Sequence, residues 1–181
     1  MAMWKFLSGR APKDPKSIRS KQTATSANQS RNFEQYTIRD GQLTKADNVF
    51  LAWTSGDLPK MVAALDLKTN PIDRHYLLLN IVEQAYKQRR SNPSMRDLCL
   101  HVSKIHLQEF DELSVALQKS TNGLLPRVPT FQYYATMLVE AGEFDQAIDV
   151  CQMALSFDLG DGTQSGFKGR IERIKNKAIR S

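Results

Sequence analysis

The stretch TFQYYATMLVEAGEFDQAIDVCQMALSFD, residues 130–158, decides the predicted fold of this 181-residue chain. Its apolar residues recur every three or four positions, which is the spacing of one face of an α-helix. Gly142 interrupts the spacing, and glycine is favoured at a helix C-terminus because it enters left-handed backbone conformations without steric cost. The stretch therefore predicts two amphipathic helices joined by a tight turn. The apolar residues are Phe131, Tyr134, Ala135 and Leu138 before the turn, and Phe144, Ala147, Ile148, Cys151, Ala154 and Leu155 after it.

These two helices resemble a tetratricopeptide repeat, a helix–turn–helix unit of about 34 residues that stacks into arrays. The similarity lies in an aromatic residue near the start of each helix, in small residues where the helices cross, and in the turn glycine. The residues concerned are Phe131, Ala135, Gly142, Phe144, Ala147 and Ala154. Tyr134 stands where the family has leucine, and Leu159 stands where it has proline. The resemblance covers one repeat and implies an all-α fold, namely a short α-solenoid of antiparallel helical hairpins.

The chain has an acidic middle and two basic ends. Residues 1–30 hold six basic side chains and one acidic side chain, and residues 163–181 hold the same numbers. Residues 31–162 hold 13 basic and 17 acidic side chains, so the net charge of +6 comes from the ends. Basic ends of this kind favour acidic partners, nucleic acid or anionic surfaces.

Residues 1–43 have the composition of a basic, largely disordered tail, because few large apolar residues follow Leu7. The exception is an N-terminal apolar cluster, Met3, Trp4, Phe6 and Leu7. Three interpretations of this cluster remain open: chance apolar residues, a docking segment for a protein, or a weak contact with a membrane surface. The cluster is too short for a secretory signal, and no apolar run approaches the roughly 20 residues of a membrane span. With Cys99 and Cys151 predicted as buried thiols, a reducing cytoplasmic location is expected.

The segment after the tail predicts further helices. Order is expected to begin near Thr44, which with Asp47 resembles a helix-capping arrangement. A first hairpin of two short helices follows, broken at residues 55–56. The apolar residues of its two helices are Ala46, Val49, Phe50 and Trp53, then Leu58, Met61, Val62 and Leu65.

Two longer helical segments come next. Asp73 is expected to cap a helix over residues 74–90, whose wide apolar arc predicts a place in the centre of the core. Residues 94–120 contain neither glycine nor proline and keep a helical period. They predict either one long helix or two helices with a bend near residues 107–111, and we favour one continuous helix.

Residues 163–181 predict a basic helix that caps the array, because Phe167, Ile171, Ile174 and Ala178 share one face. A basic stripe lies beside that face: Arg170, Arg173, Lys177 and Arg180. The stripe is expected either to remain a solvated face of the capping helix or to contact an acidic partner, a phosphate backbone or the acidic middle of the chain itself.

The sequence predicts neither catalysis nor a bound metal or cofactor. It contains no GxSxG, Walker or GxGxxG motif. His101 and His106 are five positions apart, whereas helical zinc ligands are spaced by three or four. We therefore expect His106 to be a partly buried, hydrogen-bonded histidine.

The tetratricopeptide resemblance implies that the first helix of each hairpin lines a concave groove for a peptide or helix. The groove candidates are Asn80, Gln84, Lys87, Gln132, Thr136 and Glu140. The predicted organisation is a tail (1–43), an array (44–162) and a capping helix (163–181). The predicted function is a non-catalytic protein–protein interaction module or adaptor. The alternative is association with nucleic acid or an anionic surface through the basic ends, which salt would weaken.

Overall fold

Helices dominate the computed structural model, which describes residues 35–39 and 41–181. In these residues a two-stranded β-hairpin, β1 (Tyr36–Arg39) and β2 (Gln42–Lys45), precedes eight helices. The helices are α1 (Asn48–Thr54), α2 (Leu58–Ala63), α3 (Pro71–Gln88), α4 (Pro93–Gln108), α5 (Phe110–Ser120), α6 (Pro129–Glu140), α7 (Phe144–Ser156) and α8 (Gly166–Ala178). The prediction of a mostly helical chain is confirmed.

The β-hairpin was not predicted, and it spans the expected boundary between tail and array. β1 and β2 pair antiparallel, with Tyr36 opposite Lys45. Every residue of β2 is exposed, so the strand lacks the alternation of apolar and polar residues that marks a half-buried strand. Order therefore begins before Thr44. The cap of α1 is Asp47, which accepts a hydrogen bond from the backbone N–H of Phe50 at 2.8 Å.

The first helical hairpin, α1 and α2, forms as predicted. Gly56 adopts a φ of +68° in the turn between the helices. Asp57 then caps α2 by accepting a hydrogen bond from the backbone N–H of Lys60 at 3.2 Å. The break at residues 55–56 is a local signal, which is why the sequence was sufficient to predict the turn.

The central helix is α3, as the wide apolar arc predicted. It packs against α1, α2, α4, α5 and α6. Its cap is Asn70 instead of the predicted Asp73, since the Asn70 side chain accepts from the backbone N–H of Asp73 at 3.0 Å. Asp73 lies inside the first turn, where its buried carboxylate binds partners from other elements.

Residues 94–120 do not form the single continuous helix that we favoured. They divide into α4 and α5 at Glu109, within the range of the alternative prediction. The bend is set by tertiary contacts. The ring of Phe110 is fully buried, edge-on to Phe131 and Phe157 at centroid distances of 5.0 and 4.9 Å. Glu109 itself binds Arg74 of α3.

The hairpin of α6 and α7 matches the sequence analysis closely. Gly142 has a φ of +83°, and the N–H of Glu143 donates to the carbonyl of Leu138 at 2.9 Å. This hydrogen bond belongs to a Schellman motif, which satisfies carbonyls at a helix C-terminus. The next helix, α8, packs on α7. Three of the four predicted apolar residues of α8 are buried, but Ala178 is exposed.

Most helices that follow one another in the chain also touch in space, with α5 and α6 as an exception. Besides the contacts of α3, contacts join α4 to α6, α6 to α7, and α7 to α8. Within the residues that the structure describes, no helix has the length and apolar character to cross a membrane.

Candidate functional site

Helix α6 contacts α3 through an aromatic pair and α8 through a side-chain hydrogen bond. On the α3 side, the rings of Tyr86 and Tyr133 are stacked, with centroids 4.0 Å apart and planes inclined by 16°. On the α8 side, Arg170 donates to the hydroxyl oxygen of Thr136 at 3.3 Å. Side chains of α6 are therefore linked to both α3 and α8.

The predicted groove residues on α6 form a polar row along that helix: Gln132, Thr136 and Glu140, spaced by four residues. We call these three residues the α6 row. Each of them binds an arginine from another part of the chain. Gln132 accepts from Arg127 at 2.9 Å, and Glu140 accepts from Arg89 at 3.2 and 2.9 Å. The structure thus brings these three predicted residues together.

The predicted groove residues on α3 occupy one face of that helix but make contacts of a different kind. Asn80 donates to the carbonyl of Tyr76 within α3, at 2.7 Å. Gln84 donates to the carbonyl of Gly56 at 3.0 Å and so ties α3 to the first hairpin. Lys87 is exposed. Of the three, Lys87 has the exposure that a partner-binding residue needs, whereas Gln84 supports the fold.

The arginine pair at the end of α3 was missed by the sequence analysis. The side chain of Arg89 is 10 % exposed, and its guanidinium lies 3.6 Å from the ring centre of Tyr86. Its hydrogen bonds to Glu140 raise the pKa of Arg89 and lower the pKa of Glu140. Arg90 also reaches Glu140, at 3.3 Å, but its side chain is 80 % exposed. Arg89 is thus a fixed element of the site, and Arg90 is open to a partner.

A second missed residue is Arg127, in the loop before α6. Its guanidinium binds Gln132 and also the carbonyl of Asp161, at 3.3 Å. The loop after α7 approaches so closely that a Cβ on Gly162 would lie 3.0 Å from Cζ of Arg127. No pattern in the sequence predicts that Arg127 and Gly162, which are 35 positions apart, lie close together.

The predicted basic stripe of α8 divides into one structural residue and three exposed ones. Arg170 is held by the buried carboxylate of Asp161, with Nε and Oδ2 3.1 Å apart. Burial acts to raise the pKa of Asp161, but hydrogen bonds from Thr163 and Arg170 outweigh it and hold that pKa below its usual value. The exposed members are Arg173, Lys177 and Arg180. Arg173 additionally donates to the hydroxyl of Ser165 at 2.9 Å.

The site as a whole is rich in guanidinium groups. Two exposed arginines, Arg90 and Arg127, hydrogen-bond to the α6 row, and further exposed cations are Lys87 on α3 and Arg173 and Lys177 on α8. Guanidinium forks match the geometry of carboxylates and phosphates, and two parallel hydrogen bonds can form to one acceptor group. The arrangement is therefore suited to binding an anionic partner.

Other parts of the described structure offer different chemistry. A half-open, mainly apolar cavity of about 480 Å³ lies between β1, the start of α3 and α5, away from the α6 row. Burial raises the pKa of the Cys99 and Cys151 thiols to about 11, so neither is a reactive thiolate at neutral pH. Among the residues described, no three His, Cys, Asp or Glu side chains form a set that could hold a metal ion. The predicted docking residues Met3, Trp4, Phe6 and Leu7 lie outside the described part of the chain.

Comparisons with known proteins give no further guide to this site. No family model, no curated protein and no solved structure matches the chain.

Proposed function

We propose that this chain is a short tetratricopeptide-like array that binds an acidic peptide or helix of a partner protein along the α6 row. The neighbour relations of the helices support the array. Each hairpin packs on the next, and α3 touches both α1 and α6, as expected when the first helices of successive repeats lie side by side. In such an array α1, α3, α6 and α8 line one face, and the hairpins α1–α2, α3–α4 and α6–α7 are the repeats.

One observation supports an acidic partner. The α6 row binds arginines from three other elements: Arg127 from the preceding loop, Arg170 from α8, and the Arg89–Arg90 pair from the end of α3. Only two carboxylates, Glu140 and Asp161, accept hydrogen bonds from this group in the described residues. With four arginines and two carboxylates, this hydrogen-bonded group has a net positive charge, which acidic side chains of a partner would complement.

In the proposed mechanism the protein binds its partner and catalyses no reaction. Arg89 and Arg170 are held in place by buried or stacked contacts and keep the row rigid. Arg90 and Arg127 are exposed and supply donors to the partner. A preformed row loses little conformational entropy on binding, which favours affinity from few contacts. The module thus acts as an adaptor.

The test is a comparative pull-down from nuclease-treated lysate, read by mass spectrometry. The full chain is compared with the double variant Arg90→Glu/Arg127→Glu and with the control Lys104→Glu, which alters an exposed lysine of α4 away from the row. We expect a set of acidic proteins that the wild type and the control retain and the double variant loses. Retention of the same proteins by all three chains would refute the proposal.

The second candidate function is association with nucleic acid or an anionic surface. The observation that favours it is the exposure of four cations on α8, which are Lys168, Arg173, Lys175 and Lys177, and of Arg180 just after the helix. Phosphate contacts of this kind lose affinity steeply as salt rises. Binding of a labelled DNA duplex that falls with salt, and falls further in Lys175→Glu/Lys177→Glu, would support this candidate. DNA binding that is unaffected by salt and by Lys175→Glu/Lys177→Glu would exclude this candidate.

A further inference from the structure

The arginines around the α6 row differ in whether a carboxylate neutralises them. Glu140 is held by Arg89, whose Nε and Nη2 bind the two carboxylate oxygens at 3.2 and 2.9 Å. Asp161 is held by Arg170, with Nε 3.1 Å from Oδ2. The side chains of these two arginines are only 10 % and 17 % exposed. Each of the two pairs is therefore neutral as a unit and belongs to the fold.

Two other arginines, one at each end of the row, keep an uncompensated positive charge. Arg90 has a side chain that is 80 % exposed, and its contact at 3.3 Å is with an oxygen of Glu140 that already accepts a shorter hydrogen bond at 2.9 Å. Arg127 is exposed too, and in the described structure its hydrogen bonds go to a side-chain amide and a backbone carbonyl, which are both neutral. We call Arg90 and Arg127 the end arginines.

The guanidinium of Arg127 is positioned by the loop after α7. A Cβ built on Gly162 would lie 3.0 Å from Cζ, 3.1 Å from Nη2 and 3.3 Å from Nε of Arg127. Because these three distances are nearly equal, the flat face of the guanidinium covers the glycine. The N–H donors of a guanidinium lie at its edges, and Nε and Nη1 make no hydrogen bond within the described residues. Arg127 is thus held by its face and by Nη2, and its other donors remain available to a partner.

The distance between the end arginines follows from the helix that they contact. They bind α6 at Gln132 and Glu140, which are eight residues apart and therefore about 12 Å apart along the helix axis. In an extended chain, side chains four positions apart point to the same side and are about 13 Å apart. In a helical segment the same separation needs about eight positions. An extended segment with acidic side chains four positions apart therefore matches the end arginines.

The limited exposure of α6 favours an extended segment over a helix. Of the 12 residues of α6, Glu140 alone is exposed. Neighbouring helices cover the rest, with α3 in contact through the stacked Tyr86 and Tyr133 and α8 through the hydrogen bond of Arg170 to Thr136. A helix with its side chains is about 10–12 Å wide, whereas adjacent extended chains lie only about 5 Å apart. The narrow uncovered strip of α6 thus suits the thinner ligand.

We propose that the end arginines bind one extended segment of an acidic partner protein, in which two Asp or Glu side chains stand four positions apart. Each guanidinium can form two parallel hydrogen bonds to one carboxylate. The inference rests on the proposed function for the acidic nature of the partner, and it adds the conformation of the bound segment and the spacing of its charges. Two cations at a fixed distance make that spacing, and not only the number of acidic residues, a determinant of affinity.

A panel of synthetic peptides tests the spacing. The probes are labelled peptides of Gly, Ser and Gln with blocked ends, identical in composition, whose two Glu residues stand one, four or eight positions apart. Binding to the full chain is measured by fluorescence anisotropy at about 50 mM salt. We expect the peptide with a spacing of four to bind about three- to fivefold more tightly than the other two. Tightest binding at a spacing of eight would overturn the extended conformation, and equal affinities would overturn the proposal as a whole.

Two variants and a matched control assign the preference to the end arginines. In Arg90→Gln and in Arg127→Gln, the advantage of the four-position spacing is expected to disappear, because one of the two contacts is lost. Lys104→Gln removes one positive charge from an exposed position on α4 and is expected to keep the advantage. An advantage that persists in Arg90→Gln would contradict the proposal, and this variant changes an 80 % exposed side chain, so it is expected to fold as the wild type.

Failure of the spacing and failure of the acidic-partner function give different results. Equal affinities for the three peptides, together with loss of acidic proteins from the pull-down of Arg90→Glu/Arg127→Glu, would refute the spacing and leave the proposed function intact. A preference for four positions without any acidic protein in the pull-down would support the site and refute the proposed function. Absence of binding by every peptide up to about 1 mM would overturn the inference, and the pull-down would still test the acidic partner.

Discussion

Trp53 donates its indole N–H to Asp73, with Nε1 3.0 Å from Oδ1 of a residue that is 1 % exposed. The same carboxylate accepts from Arg39, with Nε 3.2 Å from Oδ2. One side chain in the first turn of α3 therefore fixes both α1 and the β-hairpin. Burial acts to raise the pKa of Asp73, but the hydrogen bonds from Arg39, Asn70 and Trp53 outweigh it, and the pKa is lowered.

Asp73→Asn is expected to destabilise the chain by about 2–3 kcal/mol, because it leaves the guanidinium of Arg39 partly buried without its counter-charge. Urea unfolding followed by tryptophan fluorescence measures this loss of unfolding free energy, since Trp53 reports on the site. The control is Asp97→Asn, which changes an exposed carboxylate on α4 and is expected to shift stability by less than about 0.5 kcal/mol. Equal effects of the two changes would contradict the assigned role of Asp73.

Gly142→Ala is expected to cost about 1 kcal/mol, because the φ of +83° is unfavourable for any residue with a Cβ. Space is not the cause, since nothing lies within 4 Å of a Cβ built there. Gly160→Ala is the matched control, because that position is equally open and has no positive φ. Thermal unfolding should show a lower Tm for Gly142→Ala alone. A similar decrease of Tm in both variants would indicate that loop flexibility, and not backbone strain, is the cause.

The stacked rings of Tyr86 and Tyr133 are expected to couple energetically by about 1 kcal/mol in a double-mutant cycle of alanine variants. The reason is the direct contact between α3 and α6 at a centroid distance of 4.0 Å. A second cycle with Tyr86 and Tyr134 is the control, because Tyr134 is half-buried on the same helix and no ring contact joins it to Tyr86 in the described structure. Comparable coupling in the two cycles would argue against the stack as the link.

Asp161→Asn is expected to lower stability by about 1–3 kcal/mol at neutral pH, since the carboxylate pairs with Arg170 in a buried position. The pKa of Asp161 is lower in the folded chain than its usual value of 3.8. The stabilisation is therefore complete above about pH 4 and disappears as the pH falls below it. Urea unfolding of both chains between about pH 7 and about pH 3 should show the two curves converging in acid.

Asp149→Asn provides the control for that series. Asp149 is an exposed carboxylate on α7, so its replacement should leave the unfolding free energy within about 0.5 kcal/mol of wild type at every pH. A difference between wild type and Asp161→Asn that persists unchanged at about pH 3 would show that the charge of Asp161 is not the stabilising feature.

Local signals in the sequence located most helices correctly. The spacing of apolar residues and the position of Gly142 predicted α6, α7 and their turn, and the break at residues 55–56 predicted the turn before α2. These signals act between residues fewer than about five positions apart, so the sequence displays them directly.

The prediction was wrong where contacts between distant residues decide the local structure. The bend at Glu109 has no glycine or proline, and it follows from the packing of Phe110 against Phe131 and Phe157. The β-hairpin is exposed along β2, and it is tied to α3 through the pair of Arg39 and Asp73, which are 34 residues apart. A helical or strand period contains no information about such pairs.

In the candidate site, too, the sequence determined the local features and the tertiary structure determined the long-range contacts. Because the α-helix repeats every 3.6 residues, the sequence determined that Gln132, Thr136 and Glu140 share one face of a helix. Only the tertiary structure decided what that face binds. Arg89 and Glu140 are 51 residues apart, and Arg170 and Thr136 are 34 apart. Periodicity fixes the direction of a side chain relative to its own helix, whereas packing of apolar faces across the whole chain decides which charged groups meet it.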